Sequence, residues 1–332
     1  MKSTLLFVLT ILSLNAGAQL HKKVNFTPTQ YYSYFSGATS PALHIKTGDT
    51  IVTTSIDCEG FDKFEKQVIQ KAINPLTGPF FIDGAEEGDV VKITFTDIKF
   101  SRNTAFTLPY FHPRSMHDST TKLANNDSEI ITWDLNFKDK TASLHDKTTH
   151  LKNYKVAIEP FFGCVGLAAP KDQMINTTDN GPFGGNMDFN RVKKNAHIYL
   201  PVYHKGGLLY IGDGHAQQGD GEINLCALET SLDYSFVVDI IKKPKKQIEY
   251  PRVEDAEYIM TVGMDATLDN SLKIATKGML DWLQEAYDLN IMEATQVMGT
   301  ALEYKITEIV DPKVEVVAMI KKKALKGIEK KK

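Results

Sequence analysis

The stretch Ile211–Ile223 reads Ile-Gly-Asp-Gly-His-Ala-Gln-Gln-Gly-Asp-Gly-Glu-Ile and gathers the side chains best suited to chemistry. Asp213, His215, Gln218, Asp220 and Glu222 stand among four glycines. Glycine admits positive φ and lets backbone approach a ligand closely, at an entropic cost that an ordinary surface turn avoids. Carboxylate oxygens beside one imidazole are a donor set for a divalent cation, and Asp213 and His215, two residues apart, can converge on one point. A polar glycine-rich hairpin would use the same residue types, so spacing alone leaves a turn and a site equally open.

Three further segments carry groups of this kind. Ser55-Ile56-Asp57-Cys58-Glu59-Gly60 places Asp57 and Glu59 where a strand runs into a glycine, a common position for a metal ligand and a commoner one for an exposed acid. In Ile158-Glu159-Pro160-Phe161-Phe162-Gly163-Cys164-Val165-Gly166-Leu167-Ala168-Ala169-Pro170 a lone carboxylate, Glu159, enters an apolar run. Buried alone it would cost several kcal/mol, so it either faces solvent or has a partner. Gly181-Pro182-Phe183-Gly184-Gly185-Asn186-Met187-Asp188 offers Asn186 and Asp188 on a glycine-rich turn. The remaining histidines show no His-x-His or His-x-x-x-His spacing and are expected at the surface or hydrogen-bonded in the core. No Gly-x-Ser-x-Gly elbow, phosphate loop or dinucleotide fingerprint occurs, so covalent serine chemistry is unsupported. What remains is water activated by a metal or by a carboxylate.

Positioning such groups falls to short β segments. Ala42–Ile45, Thr50–Ser55, Val90–Ile98, Ile130–Leu135, Ala196–Tyr203, Gly207–Ile211, Ile223–Leu228 and Leu232–Ile241 are rich in β-branched and aromatic residues, with turn signals such as Lys46-Thr47-Gly48-Asp49 between them. Ser271–Tyr287 and Ile291–Leu302 carry apolar residues at helical spacing, the second opened by a capping box of Asn290 with Glu293. A strand pair, Glu303–Val310 and Val314–Ile320, turns at Asp311-Pro312. Many closely spaced strands predict a mainly β (α+β) fold, a β-sandwich or jelly-roll-like core with a C-terminal two-helix segment. No repeat, linker or boundary divides residues 19–332, which read as one domain.

The composition, 42% hydrophobic and 24% charged, is that of a soluble globular protein with a sizeable core. A net charge of −3 leaves no electrostatic footprint for nucleic acid, and the lysine clusters near Lys242–Lys246 and the carboxyl terminus read as solvated surface. Met1 and Lys2, the apolar run Leu5–Leu14 and Ala16-Gly17-Ala18 have the form of a cleavable secretory signal over residues 1–18, too short for a membrane span. The expected location is the periplasm or the exterior of a bacterial cell. Three cysteines, Cys58, Cys164 and Cys226, leave at least one free thiol; buried free thiols are expected, with one disulfide left open.

The chain resembles the acetamidase/formamidase family in the order of its idiosyncratic segments. These are Asn74-Pro75-Leu76-Thr77-Gly78-Pro79, Asp83-Gly84-Ala85-Glu86-Glu87-Gly88-Asp89, Pro160-Phe161-Phe162-Gly163, Gly184-Gly185-Asn186-Met187-Asp188, Gly212–Glu222, Ala275-Thr276-Lys277-Gly278-Met279 and Asp311-Pro312. The resemblance covers nearly all of the chain beyond residue 18. It implies a β-sandwich-like fold and metal-assisted hydrolysis of a short amide, such as formamide or acetamide, to ammonia and the acid. Cys58–Phe64 and Ser101–Lys152 depart from the family pattern, so the chemistry carries over better than the substrate.

On this reading Asp57, Asp213 and His215 are the expected ligands of one or two divalent ions, with Glu222 as a further ligand or as the acid/base. Asn186 and backbone N–H groups would steady the oxyanion, and Glu159 and Asp188 are second choices as ligands or orienting groups. Gln218 and Asp220 are expected only to hold the shape of the stretch. Zinc suits the single histidine first; calcium or magnesium would suit an all-oxygen subsite. The expected partner is a small amide, with no nucleic acid and no membrane span, and a homo-oligomer is left open. Two rival readings are an exported, metal-stabilised β-sandwich that only binds, and a metallophosphoesterase suggested by Gly212-Asp213-Gly214-His215. The second lacks the later elements of that signature.

Overall fold

The computed structural model describes residues 21–71, 73–120 and 130–328; the signal-like segment 1–18 lies outside them. Among the described residues the chain is mainly β. A nine-stranded sheet runs in the order Lys23–Asn25, Thr50–Thr54, Leu232–Ile241, Val90–Phe100, His197–Pro201, Arg252–Glu254, Tyr258–Asp265, Val314–Lys321, Leu302–Glu308. A six-stranded sheet runs Asn180–Gly181, Gly184–Asn186, Phe161–Gly166, Leu209–His215, Leu76–Ile82, Leu43–Ile45. A four-stranded sheet is built from Thr104–Thr107, Ile131–Asn136, Thr141–Leu144 and Lys155–Ala157.

The two large sheets share one core. Phe80, Phe162, Val165, Leu209 and Ile211 from the six-stranded sheet pack with Val91, Ile93, Phe95, Tyr234 and Phe236 from the nine-stranded one. Leu232–Ile241 alternates buried and partly exposed residues, as a strand covered on one face should. Leu209–His215 and Phe161–Gly166 are buried at every position, because a second apolar cluster of Phe35, Leu76, Cys164, Phe183 and Tyr210 covers their other face.

That double cover explains the glycines. A Cβ on Gly212 would stand 2.7 Å from Leu76 Cδ2, and one on Gly214 2.7 Å from Leu232 Cγ. The first half of the glycine-rich stretch is therefore a central strand, longer than the expected Gly207–Ile211, and not a turn. Its second half, Gln217–Ala227, is a loop closed at its base by Ala216 N–H to Leu228 O and Leu228 N–H to Gln217 O. The strand expected at Ile223–Leu228 does not form, since Glu222 and Leu225 take φ of 47° and 66° and turn the chain back.

The helix Leu268–Tyr287 begins three residues before the expected Ser271, because the Thr267 hydroxyl caps it by accepting from Asn270 N–H. It lays Ala275, Met279 and Leu283 against the large sheet. The helix Ile291–Ala301 starts at the expected capping box of Asn290 and Glu293. No helix of the described residues is long and apolar enough to cross a membrane.

The first helix seats where the sheet offers Gly263, whose added Cβ would lie 1.9 Å from Ser271 O. Ser271 O and Ala275 N, the latter 2.6 Å away, are both backbone, so neither can swing away. Gly263→Ala is expected to destabilise by roughly 3 kcal/mol and to lower Tm by about 4 °C in a thermal melt. An unchanged Tm would mean that the helix does not rest on this strand.

Candidate active site

Three neighbouring strands of the six-stranded sheet build the floor. Phe161 pairs with His215, Phe162 with Gly214, and Cys164 with both Gly212 and Asn186. Gly163 thus sits opposite Asp213, and a Cβ there would meet Asp188 Oδ1 at 2.4 Å, Asp213 Oδ2 at 2.4 Å and His215 Cε1 at 2.7 Å. Those three side chains converge on the space that glycine leaves. Asp188 and Asp213 have φ of 42° and 59°, a left-handed backbone that Asp tolerates better than most residues and that turns each carboxylate toward His215.

His215 is buried among acids. Its Nε2 lies 3.3 Å from Asp213 Oδ1 and 3.2 Å from Glu229 Oε1, and its Nδ1 3.8 Å from Asp188 Oδ1. Neither ring nitrogen achieves hydrogen-bond geometry, and Asp188 Oδ1 and Glu229 Oε2 are also buried without a hydrogen bond. Ligand atoms of Asp188, His215 and Glu222 fall within 4.8 Å of one another, as do those of Asp188, Glu308 and Asp311, and those of Cys58, Asp213 and Glu229. Glu308, Asp311 and Glu315 come from the C-terminal strand pair, where Glu308 lies across from Glu315.

Asn186 ties the groups together. Its Nδ2 donates to Asp188 Oδ2 at 2.7 Å and to Asp311 Oδ2, while its Oδ1 accepts from Asn74 Nδ2 at 3.2 Å and from the Cys164 thiol. Both amide hydrogens are committed to carboxylates, so Asn186 orients them instead of presenting a donor to an oxyanion. Gln218 Nε2 donates to the carbonyls of Asp188 and Thr307, and Asp220 pairs with Lys305 at 2.9 Å, so these two hold the loop in place as expected.

Two expected ligands lie elsewhere. Asp57 is buried but occupied: Oδ2 accepts from Arg102 Nη2 at 2.7 Å and Oδ1 from the N–H groups of Glu59 and Phe61. It clamps a turn, and its neighbour Cys58 is the group that faces Asp213 and Glu229. Glu159 is 64% exposed and pairs with Lys193 at 2.6 Å, which resolves its apolar setting in favour of solvent. Neither spacing nor motif in the sequence marks Glu229, Glu308, Asp311 or Glu315 as a site residue. The available signal was a lone carboxylate inside apolar text, as in Ala227-Leu228-Glu229 and Val314-Glu315-Val316.

Crowding sets the electrostatics. Burial first, then the Asp213 and Glu308 carboxylates, push Asp188 well above the usual carboxylate range. Burial, Asp188 and Glu308 do the same to Glu222, and burial with Glu308 to Asp311. Burial alone would discharge His215, but Glu229 and Asp213 override it and hold the imidazole well above its ordinary pKa.

The sequence matches the Acetamidase/Formamidase family over residues 38–181 and 176–320. A formamidase of Methylophilus methylotrophus is 26% identical over 53% of this chain and 53% of its own, so the chain spans about half the length of that curated relative. The fold recurs in a predicted acetamidase/formamidase from Thermoanaerobacter tengcongensis, with TM-score 0.77 and 26% identity over 93% of this chain and 99% of that one. It recurs again in an acetamidase from Yersinia enterocolitica, with TM-score 0.78 and 26% identity over 94% and 95% of the two chains.

Asp188, Glu222, Asp311 and His215 all keep protons in the fold at pH values where the unfolded chain has lost them. The native state then binds more protons than the unfolded one, and stability falls as pH rises. Carboxylates held low, such as Asp97 and Asp281, act with the opposite sign, only below about pH 4. In chelator, Tm is expected to fall steadily from about pH 5 to about pH 8. A Tm that stayed level or rose across that interval would show these carboxyls to be ionised in the native state.

Proposed function

The chain belongs to the acetamidase/formamidase family, and on that premise we propose that it hydrolyses a short linear amide, of the size of formamide or acetamide, to ammonia and the carboxylic acid with a divalent cation bound. The observation that carries this reading is the convergence of Asp188, Asp213 and His215 on the space above Gly163, with Asp188 Oδ1 and both His215 nitrogens left without hydrogen bonds. Orphaned polar atoms this deep are costly unless a further partner satisfies them. The donor set fits a cation. Imidazole with carboxylate oxygens favours zinc at the His215 end, and the all-oxygen group of Asp188, Glu308 and Asp311 suits calcium or magnesium.

A cation held there would lower the pKa of a bound water from about 16 toward 7 and polarise the amide carbonyl. The chain's own groups supply the remainder. Asp188 and Asp213, fixed by Asn186 and Asn74, flank the imidazole and keep it oriented. Glu222, whose pKa burial and its neighbours raise, is suited to take a proton from water and return it to the departing nitrogen near neutral pH. Glu229 Oε1 stands 3.2 Å from His215 Nε2 and helps to fix the orientation of the ring. The burial of Asp188, Asp213, His215 and Glu222 supports a small substrate. Export directed by residues 1–18 would place the reaction in the periplasm or outside the cell.

Ammonia release from a series of linear amides, with and without chelator, tests the reading. Formamide or acetamide should be cleaved fastest, chelation should abolish turnover, and His215→Ala should lower kcat by at least about a hundredfold. No ammonia from any small amide by metal-loaded protein would overturn the proposal. Glu222→Gln is expected to lower kcat by about 10²–10⁴-fold while metal content stays near that of the parent; loss of metal would make Glu222 a ligand instead. Gly163→Ala should lower metal content, because its methyl group fills the space on which the ligands converge.

A further inference from the structure

Glu222 has a left-handed backbone, with φ of 47°, which a glutamate adopts only where its surroundings impose it. The residues on either side show what imposes it. Gly221 O accepts from Ile309 N–H at 3.3 Å, and Asp220 pairs with Lys305 at 2.9 Å, so the near side is tied to the hairpin that bears Glu308 and Asp311. Ile223 O accepts from His112 N–H at 3.1 Å and from the Ser115 hydroxyl at 2.9 Å, so the far side is tied to residues 108–115. Asn224 Nδ2, donating to Leu108 O at 3.4 Å, joins the same two stretches again. His112-Pro113-Arg114-Ser115 is itself a tight turn: Pro113 presets φ at its second position, and Ser115 N–H and Oγ both donate to His112 O, at 2.9 and 2.7 Å. Its Arg114 guanidinium reaches the hairpin, donating to Asp311 O and, at 3.5 Å, to Pro312 O.

These ties close a ring. It runs from Gly221 to Ile309, along the chain to Asp311, across Arg114 to Ser115 and back to Ile223, and Glu222 is the residue its two ends enclose. We propose that Arg114 and Ser115 are positioning residues that hold the Glu222 carboxyl within reach of Asp188 and His215, whose ligand atoms lie within 4.8 Å of its own. Each acts through the backbone beside Glu222 and not on the substrate. Cutting the ring at either residue frees one side of Glu222, and a left-handed glutamate released on one side relaxes away from the site. Both residues belong to Ser101–Lys152, the stretch that departs from the family pattern, so this chain supplies the tie from its own sequence.

The catalytic consequence rests on the reading of Glu222 as the acid/base of amide hydrolysis; the clamp itself does not. Arg114 is exposed and Ser115 half-buried, so their alanine variants leave the core intact. Hydrogen exchange of the full-length protein, read by mass spectrometry, tests the clamp without a substrate. Peptides covering residues 219–226 should exchange about tenfold faster in Arg114→Ala and in Ser115→Ala than in the parent, with no change in those covering Leu209–His215. Unchanged exchange in residues 219–226 would overturn the clamp. With metal-loaded protein and acetamide, each alanine variant should lower kcat about tenfold while KM stays within about twofold, and Arg114→Lys, which can still donate to one carbonyl, should recover part of the loss. In a Glu222→Gln background, Arg114→Ala should cost less than about a further twofold, because the group it positions is already gone. Full additivity of the two substitutions, or a loss that falls on KM alone, would refute the positioning role. No ammonia from the parent would remove the amide reading only, and the exchange result would still decide the clamp.

Discussion

Everything in this structure bends around a crowd of buried carboxylates gathered on one imidazole. Asp188, Asp213, Glu222, Glu229, Glu308 and Glu315 are all buried, and His215 is the one basic side chain set among them. A protein interior cannot hold so many bare anions: they must keep protons, share them, or surround positive charge. Asn186 and Asn74 show that the fold has already spent neutral donors on the problem, bridging Asp188, Asp311 and Asp213 without adding charge. The acids are held where repulsion would otherwise part them, which is the arrangement expected where chemistry, not stability, has chosen the residues.

Holding them requires an unusually close backbone. Three adjacent strands come together with glycines where they approach closely, among them Gly163, Gly184, Gly212 and Gly214, and with left-handed Asp188 and Asp213 turning their carboxylates inward. The apolar clusters on both faces of these strands leave no room for solvent to relieve the charge. Double cover and dense charge are therefore one design: the packing that fixes the geometry also lowers the local dielectric and sharpens every interaction within it.

The β-rich fold, the two helices and the glycine-rich stretch were legible because each rests on local pattern. Period-two alternation marks Leu232–Ile241, and Asn290 with Glu293 announces the second helix. What local pattern could not carry was direction. Glu159 and Asp57 looked well placed by their neighbours, yet one points to solvent and the other is consumed by Arg102. Glu229, Glu308 and Glu315 are hidden for the opposite reason, as single acids between apolar neighbours whose inward direction is set by pairing partners far away in sequence. Asp188 and Asn186 were found, but the amide's commitment to two carboxylates depends on the C-terminal hairpin folding over it.

That hairpin has a mechanical consequence. Asp188, Asp213 and His215 ride on or beside the six-stranded sheet, whereas Glu308 and Glu315 ride on the last two strands of the nine-stranded one, and Asn186 reaches across to Asp311 between them. Along most of the sandwich the layers are registered by oily side chains, which tolerate sliding. At this seam they are registered by charge, which does not. The edge of the larger sheet is thus latched to the floor of the site, and any loosening of the last two strands is felt at His215 before it is felt in the core.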